Sequence, residues 1–444
     1  MILICIDGLS YDVLQSGMRN GFCPYLKHLV STNTYVYYPY FCGLPAVTTA
    51  SEAKLFYGDN YDIPGFAWFD RTAMQFIRTS RGHRIKHIEK RLRERYPHAL
   101  LTGGSCFFGA FSGGASVLDY SAEEFDFTHP WSVIRKMKIL LSALKAPQSL
   151  IRNTVHFFMS LPRDAKSAAL HYIMGNLATF IARRDIENGT SSLFIDYPQY
   201  DDAAHAHGLE SEKAFIALSH IDSYIKKLSR GIDTVVILSD HGQSPATYIK
   251  NIFGESIRGV VEKALQNKTK RVIQTSGTYN VKHADFRNDV FVIPSGGIVH
   301  IYFAERFLHP YKKNELDIKY PYFLNALIAH DSIGWLLVRI SDSSAVLLGK
   351  LGSLVFEKGS PPQEIGAVFP TGLPYRAEII SSLEFYSTYL NNGDVVLFSN
   401  IHKNTVIDFE NAQSVHGGFL GPMMEPFIMT PLERPIQSDS VITL

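Results

Sequence analysis

Apolar residues fall along this chain in two rhythms. Short unbroken runs, Ile2–Ile6, Leu193-Phe194-Ile195 and Thr234–Leu238, are rich in β-branched residues, as strands buried on both faces of a parallel sheet are. Each run ends at an acid: Asp7, Asp196, and Ser239-Asp240-His241. Between them apolar positions recur at helical spacing, as with Ile85, Ile88 and Leu92 in Arg84–Tyr96 and again across Glu212–Leu228. Strands alternating with helices predict an α/β fold, a doubly wound, mostly parallel sheet with helices on both faces. Ligands of such sheets bind beyond the carboxyl ends of the strands, so the terminal acids should gather along one edge.

Two stretches depart from this rhythm. Residues 131–184 carry few strand signals and nine Lys/Arg against one acid, a charge of +8 that leaves −7 for the rest of the chain. The stretch reads as a solvated helical insertion, as a cap that draws in an anionic substrate, or as a surface for peripheral membrane contact with anionic lipid. Residues 280–360 are β-rich, with strand patterns across Asp289–Phe303 and Gly334–Glu357. No internal repeat is found. We therefore expect one catalytic domain over 1–444, with a basic helical insertion at 131–184 and a β-rich insertion at 280–360.

Composition narrows the class. With 46% hydrophobic residues and 43 Lys/Arg against 42 Asp/Glu, the chain is neither disordered nor strongly charged, and no recognised nucleic-acid motif is found. The basic run Arg84–Arg95 reads as a solvated helix face, so no nucleic-acid partner is expected. The longest mostly apolar stretch, Ser167–Ala182, contains His171 and Asn176 and falls short of the ~20 residues a bilayer crossing needs. Cys5, Cys23, Cys42 and Cys106 lack the spacing of a disulfide framework or zinc-thiolate site. The chain opens on Met1 and reaches Asp7 without a basic segment or a long apolar run, which reads as leaderless and cytoplasmic.

Four pieces carry chemistry. Ser239-Asp240-His241-Gly242 sets a carboxylate and an imidazole side by side at a strand end. Asp201 and His205, at i and i+4, would share one helix face and could grip one cation. His416 lies before Gly417-Gly418, where the backbone can approach a ligand closely. Pro45-Ala46-Val47-Thr48-Thr49-Ala50-Ser51 offers a hydroxyl cluster that could also serve as a helix cap.

In the order Asp7, Thr48, Asp201, His205, Asp240, His241, His416, these residues resemble the alkaline phosphatase superfamily, specifically its type I phosphodiesterase/nucleotide pyrophosphatase branch. The resemblance implies that Asp7, Thr48, Asp240 and His241 hold one metal and that Asp201, His205 and His416 hold a second. Thr48 fits the nucleophile better than Thr49, because the family pattern puts Pro three residues before it and Gly ten after, matching Pro45 and Gly58. Ile63-Pro64-Gly65-Phe66-Ala67-Trp68 is similar to the family segment after the nucleophile helix, with Asp62 where a His is usual. Ser51 stands where nucleotide pyrophosphatases carry an Asn that contacts a phosphoryl oxygen.

The donor set agrees with the resemblance. Carboxylates and imidazoles without thiolates suit two divalent metal ions, Zn²⁺ first, with Mn²⁺ or Fe²⁺ also compatible. Two ions ~3.5–4 Å apart can clamp both the attacking and the leaving oxygen of an in-line displacement at phosphorus, and a threonine hydroxyl needs such activation. The expected reaction is hydrolysis of a small anionic phosphoester through a phospho-Thr48 intermediate, with net retention at phosphorus. A sulfatase is excluded, since no cysteine lies in a C/S-x-P-x-R context. A phosphomonoesterase or phosphonate hydrolase would use much the same ligands, and no Arg follows Thr48 before Arg71. A non-catalytic membrane- or partner-binding protein is the alternative from another class.

Overall fold

The structure is a computed structural model that describes residues 1–79, 82–119, 166–232, 234–266 and 269–433. Its centre is a seven-stranded sheet in the spatial order Tyr35–Pro39, Phe427–Pro431, Val235–Leu238, Ile2–Ile6, Leu193–Tyr197, Ser105–Phe107, Val117–Asp119. The last five in that order run parallel, and Phe427–Pro431 runs antiparallel to its neighbours. The expected fold class is the one observed.

The unbroken apolar runs follow from burial on both faces. Ile2, Ile4 and Ile6 face one buried cluster with the helices Tyr11–Arg19 and Glu212–Leu228, whereas Leu3 and Cys5 face another with the helices Thr48–Tyr57 and Gly82–Arg95. Burying an aliphatic side chain of this kind contributes about 1.5–3 kcal/mol, so alternating residues serve two cores at once. Helix Glu212–Leu228 begins at Ser211, whose hydroxyl accepts from the Ala214 N–H at 3.2 Å, closing one of the open donors of the first turn.

Part of the basic stretch belongs to this layer. Helix Lys166–Glu187 lies against Glu212–Leu228, with Ala178 and Ala182 buried and the Thr179 and Tyr197 hydroxyls 2.8 Å apart. The cap and lipid readings concern mainly 131–165, outside the described residues. No helix among the described residues is long and apolar enough to cross a membrane. The basic helix Gly82–Arg95 is met by acids from outside it: Arg91 lies 3.7 Å from both Asp62 and Asp70, Arg95 3.7 Å from Asp59, and His87 3.2 Å from Asp70.

A second sheet has eight strands, ordered Arg271–Gln274, Asp289–Ser295, Ile298–Phe303, Val395–Ser399, Ile333–Arg339, Ser344–Gly349, Gly352–Glu357, Ser360–Gly366. It therefore draws strands from both sides of the stretch 280–360. A four-stranded sheet joins Ser244–Tyr248 to Ser414–Val415 and Thr405–Asp408. Its pairing of Val415 with Ser244 carries His416 to the end of the strand Val235–Leu238.

The second sheet fastens the segment 60–71 in place. The Pro64 carbonyl accepts from the Tyr386 hydroxyl at 2.7 Å and from His300 Nε2 at 3.1 Å. Asp62 accepts from the Asn391 N–H at 2.7 Å and the Asn391 side-chain amide at 2.9 Å. Arg71 spends all five N–H groups on the carbonyls of Arg306, Phe307, Leu390 and Asn392 and on Asp394. Asp62, at the position where a His is usual in the resembling family, thus serves as a structural acceptor.

Candidate active site

Three parallel strands deliver the acids to one edge. Cys5 lies opposite Asp196 and Leu238, so the chain leaves Ile2–Ile6, Leu193–Tyr197 and Val235–Leu238 at nearly the same level. Asp7 follows the first strand, helix Gln199–His207 with Asp201 and His205 follows the second, and Asp240-His241 follow the third. The helix expected from the Asp201/His205 spacing is formed, and His205 Nε2 lies 3.4 Å from Asp201 Oδ2.

Thr48 is the first residue of helix Thr48–Tyr57, at an N-terminus that no side chain caps. Its Oγ1 is 3.2 Å from His241 Nε2 and 3.4 Å from Asp7 Oδ1. Thr49 turns the other way, 3% exposed, and its hydroxyl has no hydrogen-bond partner. Ser51, one turn on, lines a narrow cavity of about 30 Å³ with Lys54, Tyr40 and Asp240. Glu52 anchors the helix from below, with one oxygen accepting from the Ala110 N–H at 2.6 Å.

The three histidines are held alike. Nδ1 of His205 bonds the Ser414 carbonyl at 2.8 Å, Nδ1 of His241 the Gly242 carbonyl at 3.0 Å, and Nδ1 of His416 the Ala46 carbonyl at 2.8 Å. A carbonyl only accepts, so each Nδ1 carries a proton, and Nε2 is the nitrogen left to ligate in the neutral form of each ring. The rings of His241 and His416 stack with centroids 4.0 Å apart, and those of His205 and His416 lie 5.0 Å apart.

Two groups of donor atoms result, Asp201/His205/His416 and Asp7/Asp201/His241, each with its atoms within 4.8 Å of one another. Asp201 belongs to both. Asp240 adjoins the second group: Oδ1 accepts from the Gly8 N–H at 3.2 Å, while Oδ2 is buried, lies 3.4 Å from His241 Nε2 and has no hydrogen-bond partner. A buried carboxylate oxygen without a donor is costly, and a cation satisfies it.

The electrostatics point the same way. Burial, then Asp240 and Asp201, push Asp7 well above the usual carboxylate range, and burial with Asp240 does the same to Asp196. Burial followed by the charges of His241 and His205 holds His416 well below the ordinary imidazole range. Burial would lower His205 too, but Asp201 and the Ser414 carbonyl outweigh it and raise it. Divalent cations among these groups would favour the charged acids and the neutral imidazoles together.

Two supporting residues carry no signal in the sequence. Gln243 is fully buried, donates to Asp201 Oδ1 at 2.5 Å and accepts from the Ser414 hydroxyl, so one amide links Asp201 to the residue that holds His205. Ala46 acts only through its backbone, which no sequence pattern records.

Residues 1–328 match the profile of the type I phosphodiesterase / nucleotide pyrophosphatase family. The chain belongs to that family. It is a phosphoester hydrolase of the alkaline phosphatase superfamily, whose enzymes use divalent metals. No curated protein sequence matches it. Among solved structures it resembles phosphonoacetate hydrolase from Sinorhizobium meliloti 1021 in complex with phosphonoformate, at 12% identity and a TM-score of 0.53, covering 99% of this chain and 93% of that one. It also resembles wild type alkaline phosphatase PafA, at 11% identity and a TM-score of 0.55, covering 97% of this chain and 90% of that one. At these identities the likeness is one of fold.

Proposed function

We propose that this hydrolase cleaves phosphodiesters or pyrophosphates through a covalent phospho-Thr48 intermediate, at a site holding two divalent ions, zinc in the first instance. Asp7, Thr48, Asp240 and His241 would hold one ion, and Asp201, His205 and His416 the other, with Asp201 near enough to serve both. Bound ions would supply Lewis-acid stabilisation of the oxygen charges that develop around phosphorus.

The observation that carries the reading is the position of Thr48 Oγ1. It lies beside two donors assigned to the first ion, His241 Nε2 at 3.2 Å and Asp7 Oδ1 at 3.4 Å, so an ion held by them would also meet the Thr48 oxygen and ease the loss of its proton. In the first step the Thr48 oxygen bonds to phosphorus and the bond to the leaving oxygen breaks. In the second, water attacks the phospho-threonine and returns the hydroxyl, giving net retention. The uncapped helix N-terminus at Thr48 turns backbone N–H groups toward the phosphoryl oxygens, a role that Arg71 cannot take because its donors are spent. Ser51 is the side chain we assign to substrate contact on the same helix.

The substrate would be a small anionic phosphoester. The basic stretch 131–184 is proposed as a specificity element on its sequence alone, its net charge of +8 suiting an anionic substrate.

Metal-reconstituted protein should be offered bis-p-nitrophenyl phosphate and p-nitrophenyl phosphate, with Thr48→Ala and His416→Ala alongside. Diester turnover lost in both variants, with an acid-stable p-nitrophenyl phosphoryl group recovered on Thr48 of the wild type after quenching, is the expected result. Preferred monoester turnover would move the protein to the phosphatase side of the superfamily. Turnover surviving in Thr48→Ala would remove the nucleophile assignment.

A further inference from the structure

His416 is supported from the second sheet as well as from the loop that carries Thr48. The turn between the strands Asp289–Ser295 and Ile298–Phe303 contains Gly296 and Gly297. The Gly297 N–H donates to the His416 carbonyl at 2.8 Å. Gly296 has φ +65°, and a Cβ built there would lie 2.1 Å from the same His416 oxygen. On its other side the turn is tied down, because the Gly297 carbonyl accepts from the Ser399 N–H at 3.0 Å, in the middle of the second sheet's strand order. Ser295 Oγ accepts from the Phe66 N–H at 2.5 Å, and the Gly296 N–H donates to Glu410 Oε2 at 2.7 Å.

We propose that the turn Ser295–Gly297 is a positioning element for His416, through which the second sheet sets the direction of its Nε2. The proposal rests on the reading of His416 as a metal ligand. One residue is gripped twice, at its carbonyl by Gly297 and at its ring Nδ1 by Ala46. Fixing both ends leaves the imidazole little freedom to turn away, and ligand sites need placement within about 0.5 Å. Only glycine at 296 lets the turn come this close, on steric and conformational grounds alike.

The fold supplies its own control. Gly359, in the turn between Gly352–Glu357 and Ser360–Gly366 of the same sheet, has φ +83°, yet a Cβ there meets nothing within 4 Å. Alanine at 359 imposes the backbone strain alone, and alanine at 296 adds the collision with residue 416.

Apoprotein of wild type, Gly296→Ala, Gly359→Ala and His416→Ala is titrated with Co²⁺, read by visible absorption and calorimetry. We expect Gly296→Ala to weaken one of two ions by about 10–100-fold, the range for lost outer-sphere support, and Gly359→Ala to bind both as wild type does. Unchanged binding in Gly296→Ala, or equal weakening in Gly359→Ala, overturns the proposal. If His416→Ala binds both ions normally, the ligand reading itself fails; if it loses one while Gly296→Ala loses none, only the positioning role fails. Should Gly296→Ala not fold, hydrogen exchange of wild type with and without Zn²⁺ decides: loading should slow the amides of Gly297 and Gly417 together, and slowing of Gly417 alone overturns the proposal.

Discussion

The carbonyl oxygen of Ala46 accepts from His416 Nδ1 at 2.8 Å and from the next backbone N–H, that of Gly417, also at 2.8 Å. Ala46 stands two residues before Thr48, so a small displacement of either partner displaces the other. The candidate nucleophile and the last candidate metal ligand are mechanically one piece.

The two adjacent threonines should behave oppositely. Thr48→Ala is expected to lower kcat by at least about 10³-fold, the scale of losing a nucleophile. Thr49→Val removes a buried hydroxyl that has no partner, so turnover should be unchanged and stability equal or up to about 1–2 kcal/mol higher. Steady-state rates and urea midpoints of both variants check this; loss of turnover in Thr49→Val would contradict the assignment.

Gln243 should matter for metal and little for fold. Gln243→Leu keeps the volume but frees Asp201 Oδ1, so we expect apparent metal affinity to fall by about 10–100-fold. A competition titration against a chromophoric chelator gives the number, and an unchanged value would mean that Asp201 is oriented without it.

Much of this was legible in the sequence. The runs Ile2–Ile6, Leu193-Phe194-Ile195 and Thr234–Leu238 announce a sheet buried on both faces, and their terminal acids do gather along one edge of it. The Asp201/His205 spacing foretells a helix, and Glu212–Leu228 forms with the bounds that its pattern suggests. Other features depend on long-range partners. Val395–Ser399 enters the second sheet between Ile298–Phe303 and Ile333–Arg339, and nothing local says so. Asp62 gains its meaning from Asn391, and Gln243 from Asp201 and Ser414, each a polar group whose role is set by what packs against it.

Arg71 should be a stability residue. Its five donors meet four carbonyls and Asp394, so Arg71→Met is expected to cost about 3–5 kcal/mol by leaving Asp394 buried without its cation. Turnover per folded molecule should be unchanged. Chemical denaturation with active-site titration separates the two, and a selective rise in KM would reassign Arg71 to the substrate.

His300 predicts a pH dependence that does not involve the candidate metal ligands. Burial above all lowers its pKa from 6.5 to about 4, and the ring is fixed neutral, donating to the Pro64 carbonyl and accepting from the Gly393 N–H. The unfolded chain takes up a proton below pH 6.5 that the folded one refuses until about pH 4. This contribution is therefore fully present above pH 6.5 and lost as pH falls through that window, by roughly 3 kcal/mol in all. Urea unfolding of wild type and His300→Gln across pH 7 to 4 should show the difference shrinking by about that amount. Parallel curves would contradict it.

The contact between Ala46 and His416 spans 370 residues of chain. At about 5–20 residues per second of synthesis, roughly 20–75 s separate the emergence of its two halves. On the proposed ligand assignment, a growing chain holds Asp7, Thr48 and Asp240-His241 long before it owns His416, so the donors of the first ion would be present before those of the second. Hydrolytic competence would then arrive late, as a signal that the whole sheet assembly has closed.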